Sequence, residues 1–289
     1  MQKNNTLFDE LAPPCVRQGV LSTRAGQWPE RTYIIPNRLR LEGDAFSREG
    51  QVEGAGSAKL KHKQGEFHML KDGEKGAVLQ RDKESYAIVP HFPLGVVTPD
   101  QLRKLADVAD KYQVKALKIT SASRIAMVGF QEQDIDRAWD DLGMKPGAAV
   151  GLCVRSIKAC PGTTFCRLGQ QDSLALGMEL DKRYHGSPLP GKFKMGVSGC
   201  PNQCAETALK DLGFIGRAKG WRVMVGGNAA SRPALGCQLV EDVSTEQALA
   251  VADKVIKYFE ANGKKNERLG RFIERVGFEA FRDAVLPAQ

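Results

Sequence analysis

Four of the seven cysteines in this chain of 289 residues lie in two short clusters. Cys160 and Cys166 belong to A-C-P-G-T-T-F-C-R, and Cys200 and Cys204 belong to S-G-C-P-N-Q-C-A-E. Four thiolates are the ligand set that an iron–sulfur cubane requires. Paired zinc ligands usually stand roughly two to four residues apart, whereas five residues separate Cys160 from Cys166. The spacing therefore favours a loop around a larger inorganic core.

The second cysteine pair is followed by a segment with the features of a helix start. Cys200 takes the N-cap position, Pro201 takes the first helical position, and A-E-T-A-L-K continues the predicted helix. Cys204 then falls in the first turn. Because a helix N-terminus carries partial positive charge, it favours the thiolate, which is the form of sulfur that ligates metals.

Two other interpretations of these cysteines fit the residues less well. Free cysteines are common in protein cores, but these four stand beside Pro, Gly or Arg in turn-rich segments. A disulfide framework is typical of short secreted chains with an even number of cysteines. This chain is long, its cysteine count is odd, and its first residues lack the basic-then-apolar order of a signal peptide. We therefore expect a cytoplasmic protein with reduced thiols.

The net charge of +8 bounds the class of partner. A zinc-stabilised nucleic-acid binder would account for it, but the basic residues are scattered among acids without aromatic interleaving. An anionic small substrate, a polycarboxylate cofactor and an acidic electron carrier account for it equally well. We expect no nucleic-acid partner. We also expect no membrane association, because no apolar run approaches the roughly 20 residues of a spanning helix.

At these motifs the chain resembles the sirohaem and [4Fe–4S] sulfite and nitrite reductase family, and most closely its low-molecular-weight assimilatory-type sulfite reductases. The resemblance extends beyond the cysteines and covers nearly everything after about residue 70. The shared segments are K-G-A-V-L-Q-R-D from Lys75, P-L-G-V-V-T-P-D-Q-L from Pro93, C-R-L-G-Q-Q-D-S from Cys166, L-P-G-K-F-K-M-G-V-S-G-C-P-N-Q-C-A-E from Leu189, V-G-G-N-A from Val225 and R-L-G-R-F-I-E-R-V-G from Arg268.

The resemblance implies that the four cysteines bind a [4Fe–4S] cluster and that Cys204 also bridges to the iron of sirohaem. It implies six-electron reduction of sulfite to sulfide. The alternatives are ammonia-forming reduction of nitrite and a sirohaem protein that does not turn over. The G-x-G-x-x-G dinucleotide fingerprint is absent, so electrons are expected from a separate donor protein such as ferredoxin.

The resemblance also assigns side chains to the anion. Lys192 and Lys194 match the two lysines of the family's K-F-K motif. Because alternate residues of a strand share one face, both ammonium groups can reach one pocket. A solvated, lysine-protected strand edge is the competing interpretation. Arg124 is expected to serve the haem or the anion. His91 stands where family members usually carry an anion-binding arginine, and Ala122 replaces another family arginine.

Sirohaem carries several carboxylates, which basic side chains and close backbone can hold. The residues expected to contact the cofactor are Arg155, Lys158, Arg167, Gly226, Gly227 and Asn228.

The pattern along the chain predicts an α+β fold. From Tyr86 onward it indicates strand, helix, strand, strand, helix, which is a ferredoxin-like unit. Thr98 begins the first helix with a capping-box Gln101, and its apolar stripe is predicted to be Leu102, Leu105, Val108, Ala109 and Tyr112. The second helix is predicted to turn Ile135, Ala138, Trp139 and Leu142 inward.

Four regions follow from this pattern. Residues 69–148 form the ferredoxin-like subdomain, residues 149–243 form a mixed α/β sirohaem and iron–sulfur domain, and residues 244–289 are helical. Residues 1–68 show little periodicity and a composition close to that of disordered segments. They are either a genuine extension or the product of a mis-assigned start, with Met69 as the true first residue. Cys15 has no assigned role, and either a monomer or a homodimer would fit.

Overall fold

The computed structural model describes residues 69–286, which belong to a compact unit that begins at Met69. The predictions for residues 1–68 and for Cys15 lie outside the described residues. Within the described part, the chain forms two sheets and seven α-helices, with the last three helices at its carboxyl end. The fold is therefore the α+β arrangement that the sequence predicts.

The first sheet is antiparallel and has the strand order β1-β2-β4-β3. Its elements follow one another as β1 (Ala77–Leu79), β2 (Tyr86–Ile88), α1 (Pro99–Lys111), β3 (Ala116–Ile119), β4 (Ile125–Phe130) and α2 (Ile135–Leu142). From Tyr86 this is the predicted order of strand, helix, strand, strand, helix. Tyr86, Ile88, Met127 and Phe130 form the sheet's share of the core.

Helix α1 begins as predicted. The Thr98 side chain accepts a hydrogen bond from Gln101 N, and the Gln101 side chain accepts one from Thr98 N. Leu105 and Val108 are buried in the core, but Leu102 is 45% exposed. The predicted stripe is therefore wrong at Leu102, whose side chain is not part of this core.

Helix α2 packs on the same core through Ile135, Ala138 and Leu142, all fully or almost fully buried. Trp139 is partly buried and donates a hydrogen bond to Lys75 O at 2.7 Å. The four predicted inward positions are thus confirmed, with the indole at the rim.

The second sheet has the order β5-β6-β7-β8-β9. Strands β5 (Val154–Ala159), β6 (Phe193–Ser198) and β7 (Leu212–Arg217) run parallel, and β8 (Gly220–Val225) and β9 (Cys237–Val243) continue the sheet antiparallel. Because β5 and β6 are neighbours and run in the same direction, their carboxyl ends lie side by side at one edge of the sheet.

Helices cover this sheet and complete its core. They are α3 (Gly162–Phe165), α4 (Ser173–Tyr184), α5 (Thr245–Asn262), α6 (Leu269–Val276) and α7 (Phe278–Val285). Helix α5 begins with a second capping box, formed by Ser244 and Gln247. Phe193, Phe259, Phe272 and Phe281 are fully buried between the sheet and these helices. Across residues 69–286, no helix combines the length and apolarity needed to cross a bilayer.

The helix predicted after Cys200 is wrong. Residues 201–206 form turns, and only a single 3₁₀ turn, Thr207–Leu209, follows them. Gln203 and Glu206 adopt left-handed backbone conformations with φ of 52° and 54°. Two left-handed residues so close together interrupt the right-handed backbone that an α-helix requires.

Candidate active site

The two cysteine pairs lie in neighbouring loops at the carboxyl edge of the second sheet. Cys160 follows directly after β5, and Cys200 comes two residues after β6, its parallel neighbour. Cys160 N donates a hydrogen bond to Val197 O at 3.1 Å, which ties the first loop to the end of β6. The parallel register thus brings together two cysteines that are forty positions apart in the sequence.

The loops touch through glycines. A Cβ atom added to Gly199 would lie 2.6 Å from Gly162 Cα, which is closer than real side chains approach. Gly199 O accepts hydrogen bonds from the backbone N–H groups of Gln170 and Gln171 at 2.7 and 3.0 Å. Gly199 N–H in turn donates to Cys160 Sγ at 3.1 Å. A backbone N–H aimed at sulfur stabilises negative charge there, as a thiolate ligand requires.

Exposure differs among the four sulfur-bearing residues. Cys200 is buried, Cys160 and Cys166 are partly buried, and Cys204 is exposed. Within residues 69–286, no three His, Cys, Asp or Glu side chains are grouped to hold a metal ion. Each of the four cysteines around a cubane binds a different iron. Their sulfur atoms therefore lie farther apart than the ligands of a single metal ion. Four thiols on two touching loops, one already receiving an N–H, therefore fit a cluster as a donor set.

Lys192 and Lys194 lie at the start of β6 and share one environment. Burial lowers the pKa of both ammonium groups, and positive neighbours lower it further: Arg155 and Arg268 act on Lys192, and Lys192 itself acts on Lys194. Neither ammonium group forms an ion pair within residues 69–286. The structure therefore brings the two lysines together in a partly buried position and leaves their charges unneutralised.

Arg124 and Arg155 extend this positive region. Arg124 is 6% exposed, and burial, followed by the charge of Arg155, lowers the pKa of its guanidinium. The charge of Asp181 partly opposes this shift, but no carboxylate of the described residues forms an ion pair with Arg124. Arg155 donates to Ala149 O, but its buried Nε has no partner. Burying a cation that has no bonded counter-ion costs free energy, and a bound anion reduces that cost. The region therefore suits a ligand with several negative charges.

Asp211 and Arg268 form an ion pair next to the backbone of Lys194. Neither residue of this pair was predicted from the sequence. Asp211 is completely buried and accepts hydrogen bonds from Arg268 Nε and Nη2 at 2.8 and 2.7 Å. The same carboxylate accepts Lys194 N at 2.8 Å. It therefore fixes the backbone from which the Lys194 side chain departs. An Asp just before a buried strand is the only sequence signal for it.

His91 is held by two residues that the sequence analysis also missed. His91 Nε2 lies 2.8 Å from Asp181 Oδ2, and its ring stacks on His185 with the centroids 3.6 Å apart. Both partners lie at the carboxyl end of α4, ninety or more positions from His91. His91 is thus a partly buried, oriented imidazole and not an isolated surface histidine.

The remaining predicted cofactor residues are less clearly directed at a ligand. Lys158 Nζ lies 3.4 Å from Glu206 Oε1, and Arg167 is exposed beside Cys166. A Cβ added at Gly227 would lie 2.3 Å from Ala208 O, and Asn228 Nδ2 donates to Arg232 O at 3.0 Å. Gly227 and Asn228 therefore lie against the chain's own backbone. Gly226 also belongs to this turn, with φ of 83°.

Two family models match the chain. The model described as "Nitrite and sulphite reductase 4Fe-4S domain" matches residues 150–288, and "Nitrite/Sulfite reductase ferredoxin-like half domain" matches residues 78–145. These matches include the second sheet with its cysteines and most of the first sheet.

Curated relatives agree with the family models. The chain is 44% identical over 217 residues, 75% of its own length, to the "Sulfite reductase, assimilatory-type" of Nitratidesulfovibrio vulgaris, all of which it covers. It is 40% identical over 201 residues, 70% of its length, to the "Nitrite reductase [NAD(P)H]" of Bacillus subtilis, of which it spans 25%.

Two solved structures share the fold. Dissimilatory sulfite reductase I matches 71% of this chain and 70% of its own, with a TM-score of 0.64 and 17% identity. The NirA protein of Mycobacterium tuberculosis matches 77% of this chain and 43% of its own, with a TM-score of 0.62 and 21% identity.

Proposed function

Because the chain belongs to the nitrite and sulphite reductase family, we propose that it reduces sulfite to sulfide by six electrons from an external donor. The observation that supports this most directly is one juxtaposition. Two touching loops carry four cysteines at the carboxyl edge of the second sheet, and the same chain supplies Arg124, Lys192 and Lys194, which form no ion pair with a carboxylate of the described residues. The first feature suits a redox cluster, and the second suits an oxyanion and a polycarboxylate cofactor.

Cys160, Cys166, Cys200 and Cys204 are proposed to hold the [4Fe–4S] cluster, and Cys204 is proposed to bridge to sirohaem. Its exposure leaves its sulfur accessible to a second cofactor, unlike that of buried Cys200. When bound, the paired cofactors supply one-electron transfer to an iron that carries the substrate. Family members carry both cofactors.

Lys192, Lys194 and Arg124 are proposed to bind the oxyanion, with His91 close by. Their partly or fully buried positive charges are fixed before the substrate arrives, so the protein need not reorganise to neutralise it. Arg155 is proposed to bind a cofactor carboxylate through its Nε–H, which has no partner within the described residues. Lys158, Arg167, Gly226, Gly227 and Asn228 remain proposed cofactor contacts.

Electrons are proposed to come from an acidic one-electron carrier of the ferredoxin type in the cytoplasm. The net charge of +8 would attract such a partner. The chain is proposed to act as a monomer or a homodimer.

The test uses protein purified without oxygen from a host that makes sirohaem. We expect about four irons, acid-labile sulfide and a porphyrinoid per chain, and turnover of sulfite with a chemical one-electron reductant. Faster turnover of nitrite than of sulfite under the same reductant would assign the chain to nitrite, the substrate in the name of the Bacillus subtilis relative. Protein with neither cofactor would refute the proposal.

A further inference from the structure

Helix α4 presents two side chains to His91 from one face. Asp181 and His185 are four residues apart and so lie on the same side of the helix end. Asp181 Oδ2 lies 2.8 Å from His91 Nε2. The His185 ring covers the face of His91 with an interplanar angle of 16°.

These two contacts fix the imidazole of His91 in different ways. The carboxylate bonds to the ring edge, and the stacked ring prevents tilting. Because Asp181 is acceptor-only when ionised, Nε2 of His91 must carry a proton. The other nitrogen, Nδ1, is buried and has no hydrogen-bond partner. A buried polar atom without a partner requires an explanation, and a bound ligand is one.

The surroundings indicate an anion. Arg124 is buried and interacts electrostatically with Arg155, Asp181 and His185. Burial, and then the charge of His91, lowers the pKa of His185 to about 4, so this ring is neutral near pH 7. His185 also accepts a hydrogen bond from Ala148 N at 3.4 Å.

We propose that Asp181 and His185 are positioning residues that hold His91 so that its Nδ1–H gives a proton to an oxygen of an oxyanion bound beside Arg124. The inference rests on the proposed function. Each oxygen that leaves as water takes two protons and two electrons, and the one-electron donor protein supplies the electrons. The Nδ1–H bond breaks, an O–H bond forms, and the neutral imidazole regains its proton from water.

The first test is Asp181→Asn in the holoenzyme. The amide keeps the shape of the side chain but removes the carboxylate that accepts the hydrogen bond of His91 Nε2. We expect kcat for sulfite at pH 7 to fall roughly tenfold or more and the pH profile of kcat to change. Sulfite binding, followed by the visible absorption change of the oxidised protein, should stay within about threefold, since the bound anion contacts other cations.

The control is Asp253→Asn. Asp253 accepts the Tyr184 hydroxyl at 2.6 Å, so this variant also removes a carboxylate that bonds to the end of α4, but not the one at His91. We expect an unchanged pH profile. An equal shift in both variants would mean that general loosening of α4 is responsible, and the inference would fail.

His91→Arg and the His185 variants complete the set. Arg keeps a positive charge but gives up protons too poorly to act as a donor, so we expect retained sulfite binding with a lower kcat. A wild-type rate and pH profile would instead make His91 an anion contact only. His185→Ala should lower kcat, and His185→Phe, which restores a stacked ring, should recover it.

These outcomes separate the two proposals. Wild-type protein that holds both cofactors but reduces neither sulfite nor nitrite would refute the proposed function. Wild-type turnover together with an unchanged pH profile in a folded Asp181→Asn variant would overturn only the inference about His91. If Asp181→Asn does not fold, the His91→Arg result decides alone.

Discussion

The ion pair between Asp211 and Arg268 shows how one buried residue supports the anion site. Its carboxylate receives two bonds from Arg268 and one from Lys194 N, and none of it reaches solvent. Asp211→Asn would leave the Arg268 charge partly buried and unpaired. We expect a loss of about 3–5 kcal/mol in the free energy of unfolding, measured by urea denaturation.

The control for that prediction is Asp100→Asn. Asp100 pairs with Arg103 in a fully exposed position, so its loss should cost less than about 1 kcal/mol. Similar losses for Asp211→Asn and Asp100→Asn would contradict the view that the buried pair holds the start of β6.

A second residue-scale prediction concerns acid stability. The pKa of His185 falls from 6.5 to about 4 on folding, because burial disfavours its charged form more than Asp181 favours it. The unfolded chain then binds more protons between these values, so stability declines as the pH falls from 6.5 towards 4. We expect the thermal midpoint of His185→Phe to fall less than that of the wild type between pH 7 and pH 5. An identical fall in the two proteins would contradict this assignment.

At the scale of elements, the contact between the two cysteine loops depends on glycine. Gly199→Ala would place a methyl group 2.6 Å from Gly162 Cα, and backbone on both sides leaves no room. The loops after β5 and β6 must then separate, which moves Cys160 away from Cys200. We expect purified Gly199→Ala to hold less than half of the wild-type iron and labile sulfide, roughly as for loss of a supporting contact at a metal site.

Gly143→Ala serves as the matched control. Gly143 ends α2 with φ of 61°, and nothing lies within 4 Å of the position of its Cβ. Alanine there should cost about 1 kcal/mol through backbone strain and leave the iron content unchanged. Equal iron loss in both variants would show that stability, and not loop contact, limits cluster binding.

At the scale of the whole molecule, the proposed ligand cysteines all come from the second sheet, while the first sheet has its own core. Removal of the cofactors should therefore loosen one part of the chain first. We expect apoprotein to lose amide-exchange protection in residues 160–171 and 199–206, whereas β2, β4 and α2 keep theirs. Uniform loss of protection throughout residues 69–286 would contradict this division.

Features that depend on neighbours along the chain follow from the order of the amino acids. Thr98 and Gln101 begin α1 because their bonds span three residues, and the pattern of Ile135, Ala138 and Leu142 fixes the buried face of α2. The cysteine spacing likewise indicated a cluster and not a zinc site.

The contacts between residues far apart in the sequence depend on how the folded chain packs. Asp211 meets Arg268 because α6 packs on the second sheet. His91 meets Asp181 and His185 because α4 packs both on β5 and β6 and against the segment that follows β2. The helix predicted after Cys200 is also absent from the described structure. Gln203 and Glu206 adopt left-handed backbone conformations in the loop that carries Cys204. Local preference sets short-range structure, but burial and long-range pairing decide which polar groups are left without a partner, and those groups define the site.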